Sequence, residues 1–158
     1  MPWLAPSPLP RDIDTDLDGL LASAAVVGGE WRRYADLILG QAPAELAELL
    51  RLRVAQLHEC DPAAGRSLAE LAREQVEALA GWERSSAFSP VERDALAIAD
   101  KWPWRVHDVS DGELAALSTK LGVKDAVALL AALSLFDVHC RLQVIFELDD
   151  PKEDLDVD

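Results

Sequence analysis

Apolar residues recur at three- and four-residue spacing along most of this 158-residue chain. That spacing places them on one face of an α-helix, because an α-helix has about 3.6 residues per turn. No segment of strand length alternates between apolar and polar residues between turn signals, so β-structure is not expected. The length suffices for one domain with its own hydrophobic core. The sequence therefore predicts an all-α fold, a single domain of about six to seven helices.

Capping residues and glycines mark the expected ends of these helices. Residues 89–92 (SPVE) and 110–113 (SDGE) have capping-box spacing, which predicts that a helix begins at each. Asp61 followed by Pro62 is a favourable N-cap with proline at the first helical position. A helix, the fourth along the chain in this prediction, is therefore expected to run from Asp61 to Gly81.

The last helix is expected over residues 123–148, and it is apolar over much of its surface. Burial on more than one side is indicated by Leu129, Leu130, Leu133, Phe136, Val144 and Ile145. Such a helix lies at the centre of a fold or in a subunit interface. Around this domain, taken as residues 12–148, we expect an extended proline-rich tail over residues 1–11 and an acidic disordered tail over residues 149–158.

The tryptophans near position 103 suggest a surface contact. The helix that begins at residue 89 is expected to end near Lys101, which leaves Trp102 and Trp104 on either side of Pro103 in a loop. Most of the five tryptophans are expected to be packing residues, but exposed aromatic residues in this loop could form part of an oligomer contact.

The charge and the two cysteines restrict the class of protein. A formal net charge of −14 argues against nucleic acid and anionic membrane as partners, because both repel an acidic surface. The first ten residues lack the basic and apolar regions of a signal peptide, and no run of 18 uninterrupted apolar residues is present. Two cysteines do not make a disulfide framework. We expect a cytoplasmic protein.

Three stretches of the chain resemble one family. They are residues 48–60 (ELLRLRVAQLHEC), residues 86–100 (SAFSPVERDALAIAD) and residues 131–144 (AALSLFDVHCRLQV), with residues 109–117 (VSDGELAAL) as a weaker addition. The sequence looks like the AhpD-like, or carboxymuconolactone decarboxylase, family. The resemblance covers most of the chain and implies a helical, homo-oligomeric protein related to alkyl hydroperoxidases. Its peroxidase-type members carry a C-x-x-C motif followed by histidine.

Carried over to this chain, the family's motif is incomplete. Glu48 matches the family's acid and Cys60 its first cysteine. The second cysteine, taken as the peroxide-attacking sulfur, falls on Ala63, and the proton-relaying histidine falls on Ser67. In the last helix the family's asparagine, tryptophan and asparagine fall on Asp137, His139 and Cys140. The arginine that follows them is retained as Arg141.

The missing sulfur decides what chemistry can remain. A dithiol site reduces peroxide when one sulfur becomes a sulfenic acid and its neighbour resolves it as a disulfide. Alanine cannot resolve, so no cycle through residues 60 and 63 is possible. Two carboxylates, Glu59 and Asp61, flank Cys60 and are expected to raise its pKa, whereas His58 is the one nearby group that favours a thiolate.

If catalysis survives, the resemblance and the residues give named candidates. Glu48 would be the acid or base and Cys60 the sulfur, with Cys140 or an external thiol reductant resolving it. His139 stands beside Cys140 as a further candidate. Zinc is not expected, because neither His58 and Cys60 nor His139 and Cys140 have the spacing of a structural zinc site.

Several alternatives stay open from the sequence. Glu48 is either a buried acid or the partner of Arg51 three residues later. Cys60 and Cys140 are either reactive or inert core residues. The protein is either a weakened AhpD-like redox protein, a non-catalytic helical scaffold or binding module, or an enzyme of lactone-decarboxylase type. No cofactor is expected for any of the three.

Overall fold

The computed structural model describes residue 21, residues 24–60 and residues 67–146. Over these residues the chain is all-α and without strands, which confirms the predicted fold class. The α-helices are α1 (Ala25–Leu39), α2 (Ala44–His58), α3 (Arg73–Ala78), α4 (Pro90–Arg105), α5 (Asp111–Leu121) and α6 (Val123–Phe146). Two short 3₁₀ helices follow α3 and α4, over Leu79–Arg84 and Val106–Asp108. Both expected tails, residues 1–11 and residues 149–158, lie outside the described residues. Parts of the predicted domain, residues 12–148, lie outside them as well.

Both predicted capping boxes are confirmed. At the start of α4 the Ser89 hydroxyl accepts a hydrogen bond from the Glu92 N–H, and the Glu92 carboxylate accepts one from the Ser89 N–H. Ser110 and Glu113 make the same reciprocal pair at the start of α5. These bonds satisfy N–H groups that have no partner within the first helical turn.

The prediction of one helix from Asp61 to Gly81 is wrong. Asp61 and Pro62 lie outside the described residues, residues 67–72 are not helical, and α3 begins only at Arg73. The Leu68 N–H donates to the Glu48 carboxylate at 3.0 Å, so α2 holds the backbone that a helix would otherwise use. Past α3 the chain continues as a 3₁₀ helix through Gly81, where the backbone leaves helical geometry at φ −119°.

The loop predicted around Pro103 is also wrong, because α4 continues through it to Arg105. Proline within a helix removes one backbone hydrogen bond and usually ends the helix. Here Pro103 is buried, and its carbonyl accepts a hydrogen bond from the Arg141 guanidinium of α6 at 2.6 Å. Trp102 packs against the core, whereas Trp104 is 59% exposed.

Helix α6 lies at the centre of the fold, which is one of the two positions that its apolar sequence indicated. It packs on α2 most extensively and also on α1, α4 and α5. Leu129, Leu133 and Phe136 are buried as expected, but Val144 and Ile145 are exposed, because they lie on faces of α6 that no described helix covers. By length and composition alone α6 could also cross a membrane, a test that core helices pass as well.

Candidate thiol site at the end of helix α2

The end of α2 sets the position of Cys60. The helix stops at His58, and Glu59 adopts the left-handed conformation at φ 56°, which is uncommon for a residue other than glycine. The Cys60 N–H then bonds back to the Ala55 carbonyl at 3.1 Å. This closing turn directs the chain inward, and Cys60 is only 6% exposed.

Cys140 of α6 meets Cys60 in the core. Their Sγ atoms are 2.6 Å apart, although 80 positions separate them in the chain. Cys140 is 5% exposed. The two sulfur atoms are therefore in direct contact in the core. A second sulfur, from helix α6, thus lies beside Cys60.

A second link joins the same two segments. His58 Nε2 lies 2.7 Å from Asp137 Oδ1, and the side chains are only 4% and 15% exposed. His58 precedes Cys60 by two residues, and Asp137 precedes Cys140 by three. Residues three apart on a helix share a face, so this link lies about one turn from the sulfur pair.

Asp137 is held from its other side as well. Arg141, one turn later on α6, donates from Nε to Asp137 Oδ2 at 3.0 Å. The Arg141 guanidinium also lies over the Trp104 ring, 5.2 Å from its centroid. The same ring is 5.1 Å from the His58 ring. The outer side of the site is therefore a packed group of charged and aromatic side chains from three helices.

Glu48 is both buried and paired with Arg51, so the two alternatives for this residue hold together. Its carboxylate accepts two hydrogen bonds from the Arg51 guanidinium at 2.8 and 2.9 Å. It also accepts the Leu68 N–H and, at 3.3 Å, the Ser67 hydroxyl. Burial by itself raises the pKa of Glu48, but the hydrogen bonds from Arg51, Leu68 and Ser67 outweigh it and hold the pKa below 4.5.

The candidate residues from the sequence thus fall into separate places. Glu48 and His58 are ten residues apart on α2, which separates their backbones by about 15 Å along the helix. Glu48 and Ser67 meet at one level of α2, and Cys60 and Cys140 meet at its end. His139 is half-buried on α6, and its side chain leaves the helix about 100° away from that of Cys140. Ala63 lies outside the described residues.

The contact between His58 and Asp137 could not be recognised as such from the sequence. The available signal was spacing: Asp137, Cys140 and Arg141 are three and four residues apart, and so share one face of a helix. The partner across the core comes from a segment about 80 residues away, and no local pattern indicates it.

Over the part of the chain that is described, no group of three or more histidine, cysteine or acidic side chains could hold a metal ion. No protein-family model matches this sequence, and neither does any curated protein. The chemistry of the site is therefore argued from its own residues, and the family resemblance of the sequence motifs stays a prediction.

Proposed function

We propose that this chain is an AhpD-like thiol redox protein in which Cys60 and Cys140 replace the C-x-x-C pair of the family. The contact between their sulfur atoms, 2.6 Å apart, is the observation that carries the proposal. A pair of thiols at this distance can form a disulfide without rearrangement of the helices that hold it. A cytoplasmic thiol reductant would return the pair to the reduced state.

The proposed cycle uses a hydroperoxide as oxidant. The Cys60 thiol first gives up its proton to solvent, and the thiolate attacks the terminal peroxide oxygen. The O–O bond breaks, Cys60 becomes a sulfenic acid, and the leaving alkoxide takes up a proton from solvent and departs as the alcohol. The Cys140 sulfur then attacks the Cys60 sulfur, so that an S–S bond forms and water is released. Two thiols of the external reductant become a disulfide and restore both cysteines by thiol–disulfide exchange.

Several features argue that this activity is slow. Both sulfurs are almost fully buried, so a hydroperoxide reaches them only when the surrounding side chains move. Cys60 follows the carboxyl end of α2, where the helix dipole disfavours an anion. These features support the proposal that the protein is a weakened relative of the peroxidases.

Glu48 is a poor candidate for the acid or base of such a cycle. Its lowered pKa keeps the carboxylate ionised at neutral pH, where it has no proton to give and little affinity for one. Its four hydrogen bonds to Arg51, Ser67 and Leu68 engage both oxygens. The same engagement, together with serine at position 67, disfavours a lactone-decarboxylase reaction at this carboxylate.

A non-catalytic scaffold is the second candidate, and the burial of both cysteines favours it. In that case the sulfur pair serves only to pack or crosslink α2 and α6. Either candidate is compatible with a homo-oligomer, for which exposed valine and isoleucine side chains on one side of α6 offer a surface: Val123, Val127, Val138 and Ile145.

The test compares the wild-type protein with Cys60→Ser, Cys140→Ser and the double variant. Each is treated with a small hydroperoxide, and intact mass, thiol content and trapping of sulfenic acid by a dimedone-type reagent are recorded. We expect the wild type to lose two hydrogen atoms and both thiols, and Cys140→Ser to stop at a trapped sulfenic acid on Cys60. With added dithiol, the wild type should consume peroxide faster than Cys140→Ser. Equal behaviour of all four proteins would leave the scaffold as the better description.

A further inference from the structure

We infer that the hydrogen-bonded contact between His58 and Asp137 is a positioning device that holds Cys60 against Cys140 while both are reduced. The inference rests on the proposed function, because it concerns the same sulfur couple. We assign His58 and Asp137 no part in the reaction of the sulfurs themselves. Their part is to keep the two segments that carry the sulfurs at bonding distance.

The geometry places the two links side by side. The two links are the contact between His58 and Asp137 and the contact between Cys60 and Cys140. On the α2 side they are made by His58 in the last turn and by Cys60 just beyond the cap. The other side of each is one turn of α6, through Asp137 and Cys140. The contact between His58 and Asp137 therefore spans the same gap between α2 and α6 as the contact between the sulfurs.

The end of α2 needs such a link. Cys60 stands beyond the helix, after a single left-handed residue, Glu59, and its backbone N–H bonds to the Ala55 carbonyl of the preceding turn. Helix ends fray because their last groups lack intrahelical partners. A charge-assisted hydrogen bond of 2.7 Å between largely buried groups restrains this end more strongly than an exposed pair would.

Asp137 is itself well fixed for this purpose. Arg141 holds its second oxygen, and Arg141 is anchored in turn on the Pro103 carbonyl and the Trp104 ring of α4. The carboxylate that receives His58 thus has a defined orientation before the thiols react. Preorganisation of this kind favours bond formation because less motion remains to be lost.

Linkage then requires that the two links support each other. If the contact between His58 and Asp137 raises the equilibrium constant for the Cys60–Cys140 disulfide, the disulfide raises the equilibrium constant for that contact by the same factor. Couplings between such sites are commonly about 5- to 150-fold, and we expect about tenfold here. For a two-electron couple a tenfold change in equilibrium constant corresponds to about 30 mV. Loss of the ion pair should make the disulfide easier to reduce, so the potential should become less negative.

The experiment is a redox titration of the full chain in dithiothreitol buffers of stepped ratio. The fraction of Cys60–Cys140 disulfide is read by alkylation and mass spectrometry. His58→Ala and Asp137→Ala should each lower the equilibrium constant for disulfide formation about tenfold, and the double variant should lose little more than either. Asp137→Asn, which retains an oxygen acceptor, should lie between them and the wild type. His107→Ala is the matched control, because His107 pairs with Asp108 on the exposed surface and should not alter the titration.

The outcomes separate this inference from the proposed function. A wild-type protein whose cysteines never titrate as a couple would remove the proposed function and the inference together. A wild-type couple that titrates normally, with unchanged constants in His58→Ala and Asp137→Ala, would overturn the inference alone. If either alanine variant fails to fold, Asp137→Asn and His58→Gln decide the question, since a wild-type constant in both would also refute it.

Discussion

Oxidation of the sulfur pair should stabilise the folded protein by a predictable amount. The perturbation is the formation of one bond between Cys60 and Cys140, which closes a loop of 80 residues. A crosslink stabilises mainly because it removes conformations from the unfolded chain, and its effect grows with loop length. The loop here is long, so the expected effect is large even for a protein of this size.

The magnitude follows from the loop length. The chain-entropy relation gives about 4–5 kcal/mol for a loop of this size, and native disulfides typically deliver about 2–4 kcal/mol. For a chain of about 150 residues, 1 kcal/mol corresponds to a change in melting temperature of about 2–4 °C. The oxidised protein should therefore melt about 4–16 °C above the reduced one.

The assay is thermal unfolding followed by circular dichroism, with the protein either oxidised or held reduced by a phosphine. Cys60→Ser and Cys140→Ser serve as controls, because neither can form the bond and each should melt at one temperature in both conditions. The reasoning fails if the oxidised wild type carries the bond by mass and still melts with the reduced form. It also fails if the single variants show the same dependence on oxidation as the wild type.

Three further predictions concern the charged pairs Glu48–Arg51 and Lys101–Glu113. Arg51→Ala leaves the buried Glu48 carboxylate without its main partner, so the free energy of unfolding should fall by about 3–5 kcal/mol in urea titrations, and a fall below 1 kcal/mol would contradict the pairing. The pKa of Glu48 is lowered in the folded state, so the carboxylate's contribution to stability is complete above pH 4.5 and is lost as the pH falls through the folded pKa. Glu48→Gln should therefore make the free energy of unfolding depend less on pH in the acid range. An unchanged dependence would contradict this reasoning. The Lys101 hydrogen bond, together with those from Ser110, lowers the pKa of Glu113 to about 2, so Lys101→Ala should raise this pKa in an NMR titration, whereas an unaltered value would assign the shift to the helix cap.

Local features of the fold could be predicted from the sequence, and features that depend on distant contacts could not. The capping boxes at Ser89 and Ser110 were predictable because the bonds join residues three positions apart. The central position of α6 followed from its composition. The helix predicted from Asp61 to Gly81 was wrong because the decisive hydrogen bond joins the Leu68 N–H to the carboxylate of Glu48, twenty residues earlier.

The candidate site divides in the same way. The sequence supplied Cys60, Cys140 and Glu48 as candidates and showed that position 63 carries no sulfur. It could not supply the contact between the cysteines, because that contact depends on how α2 packs against α6. The ion pair between His58 and Asp137 depends on the same packing, and so it too became visible only in three dimensions.

The two attachments of the chain to α2, at the Cys60 turn and at Leu68, have a consequence for how such proteins can vary. Both ends of the stretch between them are fastened to one rigid helix, so exchanging residues there need not displace the rest of the molecule. A protein built in this way could therefore exchange residues in that stretch, a cysteine among them, without losing its architecture. A sulfur from the opposite side of the core would then be well placed to inherit the vacant role.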